Sequence, residues 1–199
     1  MISVIIPYMG IEPYKFQLGK CISSIKKQTA DIEIIVVKQK PVVEYIEKTR
    51  LLNEGVAKAK GNIIWFCDAD FLLPDKTMLK GMEAKLKKDS LDCIFPMFYS
   101  AVFSGYKIAD GGPFMKKSKL KEFGKLDESL IGIGGVYFDL LEWILDNDNF
   151  YCDPEFLINL NYFPFTTSGD KAPPETLKRT KSLIRRVKSE FKKRGLWPK

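Results

Sequence analysis

The sequence predicts an α/β protein with a Rossmann-like first half, in which a largely parallel sheet carries helices on its faces. Two observations predict it. Short apolar runs recur at Ser3–Ile6, Ile32–Val37 and Asn62–Cys67, and segments with helical spacing separate them. A β-α-β-α-β order of this kind closes through right-handed crossovers into a parallel sheet.

Ser3-Val-Ile-Ile6 is a β-branched run that Pro7 should stop, as expected of a buried parallel strand. Residues 13–29 place Phe16, Leu18, Cys21, Ile22 and Ile25 close to a helical repeat. Ile32–Val37 is the second strand. Pro41 suits the entry of a helix reaching about Lys60, with Val43, Ile46, Leu51 and Val56 facing inward. Gly61 punctuates, and Asn62–Cys67 follows as the third strand. Pro74 opens a helix through Met78, Leu79, Met82 and Leu86 to Lys88, and further strands are expected near Cys93–Phe95 and Phe98–Phe103.

The composition fits one globular domain. In 199 residues, 45% hydrophobic content is enough to bury a core without disulfides or structural metal. The 29% charged and 13% aromatic residues exclude a disordered or collagen-like chain. No apolar run approaches the ~20 residues that span a bilayer, and Met1–Pro7 lacks a charged leader, so a cytoplasmic location is expected. Cys21, Cys67, Cys93 and Cys152 have no CxxC spacing and read as reduced, buried thiols. Histidine is absent, which excludes Ser–His and Cys–His nucleophile pairs and leaves a carboxylate as the expected general base.

Charge divides the chain in two. Residues 171–199 hold eleven Lys or Arg against Glu175 and Glu190, a net of +9, so the overall +7 leaves −2 on residues 1–170. The expected organisation is a domain over 1–170 and a basic amphipathic tail over 171–199.

In a sheet of this kind the ligand lies beyond the carboxyl ends of the strands. Those ends are Pro7-Tyr8, Lys38-Gln39 and Asp68-Ala69-Asp70. Neither GxGxxG nor GxxxxGK[ST] occurs, so no glycine loop cradles a phosphate. Asp68 and Asp70 leave a strand together, and two close carboxylates are costly unless a cation or hydrogen-bond donors offset them. A divalent ion completed by phosphate oxygens fits. The alternative is a solvated turn whose Asp caps the next helix. The metal reading requires that neighbouring lysines do not neutralise the pair.

Over roughly residues 1–143 the sequence resembles the GT-A-fold glycosyltransferases that use nucleotide sugars, with family 2-like and galactosyl/N-acetylgalactosaminyltransferase-like segments. Ser3–Pro7 resembles their opening strand. Thr49–Gly55 with Ala57–Asn62 resembles the helix before their metal motif, and Trp65–Pro74 resembles their DxD segment. Asp110-Gly-Gly-Pro-Phe-Met115 resembles the glycine pair along the donor sugar; Gly124–Glu128 with Gly132–Gly135 resembles a later GG-x-DE…GWGG stretch. The resemblance implies a mixed, mostly parallel GT-A sheet flanked by helices. It also implies transfer of a sugar from a nucleoside diphosphate, UDP first, to a hydroxyl on a glycan, lipid or protein. Asp68 and Asp70 would hold Mn²⁺ or Mg²⁺. Pro7, Tyr8, Arg50, Asn53, Asp68, Ala69, Asp110, Gly111, Gly112, Gly134 and Gly135 would contact the donor.

The departures are specific. Val136-Tyr137 stands where the family has an acidic pair, so Asp139, with Glu142 one turn later, is the acceptor-side or base expectation. A structural alternative for Asp139 is an acid favoured by the helix dipole; for Arg50 it is a solvated helix residue. The acid expected at the second strand end is Lys38-Gln39. In the tail, Leu177, Thr180, Ile184, Val187 and Phe191 form a helical stripe, suggesting a basic helix that is packed on the domain, laid on an anionic membrane or bound to nucleic acid. Two alternative functions follow: glycosylation of a hydroxylated base in DNA, and a nucleotide-sugar-binding module without turnover.

Overall fold

A computed structural model describes residues 1–10, 14–40, 47–100, 105–108, 112–129, 138–147 and 150–160, together with 178, 182, 185, 189, 192 and 193. The chain runs β1 (Ile2–Tyr8), α1 (Tyr14–Lys26), β2 (Ile32–Lys38), α2 (Lys48–Lys58), β3 (Ile63–Phe66), β4 (Phe71–Leu72) and α3 (Met78–Lys88). It continues β5 (Cys93–Ser100), β6 (Gly105–Ile108), β7 (Phe114–Lys116), α4 (Lys117–Phe123), α5 (Phe138–Asp146) and β8 (Phe150–Leu160). The strands form one eight-stranded sheet in the order β2-β1-β3-β7-β5-β8-β4, with β6 on β5.

β1 pairs in parallel with both β2 and β3, as the alternation of apolar runs and helices requires. The later strands make the sheet mixed. β7 inserts antiparallel between β3 and β5, and β8 runs parallel to β5 and antiparallel to β4. β1, β2, β3, β5 and β8 therefore point one way and β4, β6 and β7 the other.

Strand alternation sorts the core into two layers. Ile5, Ile64 and Phe66 face Leu51 and Leu52 of α2, Leu120 of α4 and Leu140 and Leu141 of α5. Val4, Ile6, Trp65 and Cys67 face Cys21 and Ile25 of α1 and Leu79, Met82 and Leu86 of α3. Covering both faces explains why these strands read as continuous apolar runs. The α2 layer packs especially close at Gly55, where an added methyl would overlap Ile5 Cγ2 and meet Val37 Cγ2 at 3.3 Å. Gly55→Ala is expected to destabilise the chain by about 1–3 kcal/mol through overpacking, read from its urea midpoint.

Several boundaries differ from the sequence expectation. β1 continues through Pro7 to Tyr8. The Ile5 carbonyl accepts from Cys67 N–H on the β3 side, and Pro7 points the same way, beyond the end of the β1–β3 pairing. Its missing N–H thus breaks no ladder bond. α3 starts at Met78 because Asp75 Oδ1 first accepts from both the amide and the hydroxyl of Thr77, a turn that delays the helix. The two strands expected near 93 and 98 are one, β5, and Pro96 sits at its register shift against β8, where a residue without an N–H is tolerated. α2 begins at Lys48, with residues 41–46 outside the described set; the N–H of Glu47, just before it, donates to Gln39 Oε1 at 2.9 Å.

Cys21, Cys67 and Cys93 are buried thiols outside any disulfide. Among the described residues, no helix is long and apolar enough to cross a membrane.

Candidate active site

The carboxyl ends of β1, β2 and β3 meet at one edge of the sheet, and the chain reverses there immediately after β3. Phe71 N–H donates to the Asp68 carbonyl at 3.0 Å, so Asp68-Ala69-Asp70 is a tight turn between β3 and β4. The turn rests on sulfur. The thiols of Cys21 and Cys67 lie 3.7 Å apart and 3.6 and 3.5 Å from the same Asp68 carbonyl. Burial, followed by the contact with Cys21, pushes the Cys67 thiol well above its ordinary range, so it remains a protonated donor rather than a nucleophile. β4 then pairs with β8 and fixes the exit of the turn.

Gly112 closes one side. A methyl there would come within 2.9 Å of Phe71 Cε2 and 3.0 Å of the Phe66 carbonyl, and Trp65 Nε1–H donates to the Gly112 carbonyl at 3.1 Å. The segment entering β7 is therefore pressed against both flanks of the aspartate turn. Pro7 and Tyr8 are buried at the end of β1. Asp110, Gly111, Gly134 and Gly135 lie outside the described residues, as do Val136 and Tyr137.

Asp68 and Asp70 are both half-buried. Asp68 is ion-paired: the Lys48 ammonium, from the first residue of α2, sits 2.6 Å from Asp68 Oδ1. The Lys48 side chain is only 10% exposed, against 26% for Asp68. The pairing with a lysine that the metal reading had to avoid is thus present at one aspartate. Sequence reasoning did not single out Lys48, and no local signal marks it among the chain's many lysines. Among the described residues, no group of three or more carboxylates and thiols is gathered as a cation cage. A divalent ion needs only one or two protein carboxylates when phosphates and water complete its shell. Asp70 and the second oxygen of Asp68 fit that smaller requirement.

The α2 residues expected at the donor are held by partners within the protein. Arg50 Nε–H donates to Glu47 Oε2 at 2.8 Å, and its Nη1 lies 3.8 Å from Glu54. Asn53 is a clamp. Its amide donates to the Leu126 carbonyl at 3.0 Å and to Glu128 Oε1 at 2.9 Å, and its oxygen accepts from Leu126 N–H at 3.1 Å. That clamp carries on to the next acid, because Asp127 N–H donates to Asp139 Oδ2 at 3.4 Å while Leu140 N–H donates to Asp139 Oδ1 at 2.8 Å. Burial raises the Asp139 carboxyl above the usual aspartate range; the two amide donors oppose this and the Asp127 charge adds to it. Glu142 follows on the same helix, half-buried.

Comparisons with known proteins bear on this geometry. The family model described as Glycosyl transferase family 2 matches residues 39–138, half of the chain, from the end of β2 to the start of α5. A search of curated proteins gives no match. Among solved structures, Staphylococcus aureus TarS in complex with UDP is 14% identical with a TM-score of 0.68, covering 94% of this chain and 64% of that one. The mannosyltransferase PcManGT from Pyrobaculum calidifontis, in complex with GDP-Man and Mn²⁺, is 13% identical with a TM-score of 0.63, covering 94% and 69%. The catalytic domain of Drosophila beta1,4galactosyltransferase 7, in complex with xylobiose, is 13% identical with a TM-score of 0.61, covering 90% and 79%. At this identity the likeness is one of fold. The chain spans slightly under two thirds of the length of the TarS chain.

Proposed function

Because the chain belongs to glycosyl transferase family 2, we propose that it moves a sugar from a nucleoside diphosphate, with UDP the first donor to test, to an acceptor hydroxyl on a glycan, lipid or protein. The observation that carries the reading is the aspartate turn at the carboxyl end of β3, with Gly112 packed on its flanks and Tyr8 ending the neighbouring strand β1. Asp70, with the second oxygen of Asp68, would hold Mn²⁺ or Mg²⁺. When bound, such an ion supplies Lewis-acid stabilisation of the departing diphosphate.

The protein's own groups account for the rest of the proposed site. Gly112 leaves no side chain between the turn and the β7 segment, so that segment packs directly on Phe71 and the Phe66 carbonyl and sets the wall of the turn. Pro7 and Tyr8 offer a buried floor at the end of β1 for the base and ribose. Asn53 acts at one remove, holding Leu126–Glu128 so that the Asp127 amide meets Asp139. Asp139 would take the acceptor proton; its raised affinity for a proton suits a base working near neutral pH.

Thermal shift of the full chain with UDP-, GDP- and dTDP-sugars, each with and without Mn²⁺, tests the donor site. One donor should raise the midpoint in a Mn²⁺-dependent way, since a ligand at 100 times its Kd adds about 2.7 kcal/mol of stability. No shift with any donor would overturn the reading. A shift accompanied by neither transfer nor donor hydrolysis would mark a binding module instead.

The basic tail supports a peripheral contact with anionic membrane. Its described residues, Lys178, Ser182, Arg185, Ser189, Lys192 and Lys193, are all exposed, and their spacing follows one helical face. The apolar stripe read from the sequence favours a lipid surface over nucleic acid. The full chain should sediment with phosphatidylserine vesicles in low salt and release as salt rises, and a chain lacking 171–199 should not sediment. Preference for DNA over vesicles would redirect the acceptor search to hydroxymethylated bases.

A further inference from the structure

We infer that Lys48 is a built-in cation at the aspartate turn, holding Asp68 in the donor-free protein and making metal uptake depend on the nucleotide's own phosphates. The inference rests on the donor-site reading above and goes beyond it by assigning Lys48 a role in cation binding. Its ammonium is 2.6 Å from Asp68 Oδ1, and the side chain is nearly buried at the first residue of α2. An ammonium withdrawn from water is retained only where a carboxylate compensates it. The pair therefore fixes Asp68 relative to α2 and removes one unit of negative charge from the turn.

The charge arithmetic has a binding consequence. With Lys48 in place, the Asp68 charge that an entering divalent ion would otherwise meet is already offset. A bare ion meets the repulsion of the ammonium and a carboxylate oxygen already engaged. A nucleoside diphosphate supplies further negative oxygens, restoring the charge the ion needs and giving the ammonium phosphate oxygens to face. Metal and nucleotide should bind synergistically, and metal alone weakly.

The test is titration of the full chain with Mn²⁺ alone, followed by the loss of the free-ion electron paramagnetic resonance signal, in wild type, Lys48→Met, Lys48→Gln and Lys48→Gln with Asp70→Asn. Removing the positive charge should tighten binding of Mn²⁺ alone by about tenfold. Lys48→Gln keeps a hydrogen-bond donor toward Asp68, so it can be read even if Lys48→Met fails to fold. Adding Asp70→Asn should abolish the gain. A purely structural lysine would produce no gain, and equal or weaker Mn²⁺ binding in Lys48→Gln overturns the inference. Repeating the titration with the nucleoside diphosphate separates the two claims: Mn²⁺ binding that appears only with nucleotide in every variant overturns the role of Lys48 and leaves the donor site standing. If no variant binds Mn²⁺ under either condition, both fail.

Discussion

Asp70→Asn is expected to lower sugar transfer by about 10²–10³-fold, the scale at which an electrostatic contact to a leaving group is lost. Its stability should stay within about 1 kcal/mol of wild type. Asp68→Asn should behave differently. It removes the carboxylate that lies 2.6 Å from the Lys48 ammonium, a side chain only 10% exposed. Breaking this partly buried pair should cost about 1–3 kcal/mol in addition to activity. Initial rates of nucleoside-diphosphate release and urea midpoints for the two variants separate the roles. An unchanged urea midpoint in Asp68→Asn would mean that the Lys48 pair contributes nothing; undiminished transfer in Asp70→Asn would remove Asp70 from the site.

The contrast between the two aspartates was only half legible in the sequence. Asp68 and Asp70 follow a run of apolar residues whose strand character is local, so their place at the sheet edge could be read directly. β1 and β3 were readable because a strand buried on both faces is apolar at nearly every position, and β2, a half-buried edge strand, was readable from its β-branched run. What completes the sheet was not. β7 is three residues long and β4 two, and both are defined by partners far along the chain, Ile63–Trp65 for one and Asn159–Leu160 for the other. Strands that short carry no periodic signal. The Lys48 contact fails to show for the same reason, since it joins residues on two elements whose relative placement depends on the α2 packing at Gly55. Asn53 was expected at the donor from its motif; the structure shows its amide clamped to Leu126 and Glu128. Spacing within one helix could not disclose a partner more than seventy residues away.

Asp139 offers the sharpest separation of catalysis from stability. As the general base, Asp139→Asn should lower kcat by about 10²–10⁴-fold with little change in donor affinity. Burial, the largest influence on this carboxyl, raises its proton affinity in the folded state above the ordinary aspartate value of 3.8. Its contribution to stability is therefore full below the unfolded pKa and lost as pH rises through the raised folded pKa. The amide variant does not ionise, and its oxygen can still accept from Leu140 N–H. Urea midpoints should then show Asp139→Asn gaining on wild type as pH rises from about 3.5 to 7, while the acidic limb of the kcat profile flattens. A helix-start acid stabilised by the dipole predicts the reverse: the variant would lose stability at neutral pH and keep its kcat. Because the two roles move stability in opposite directions, the pair of measurements decides between them even before an acceptor is known, provided turnover is followed as donor hydrolysis.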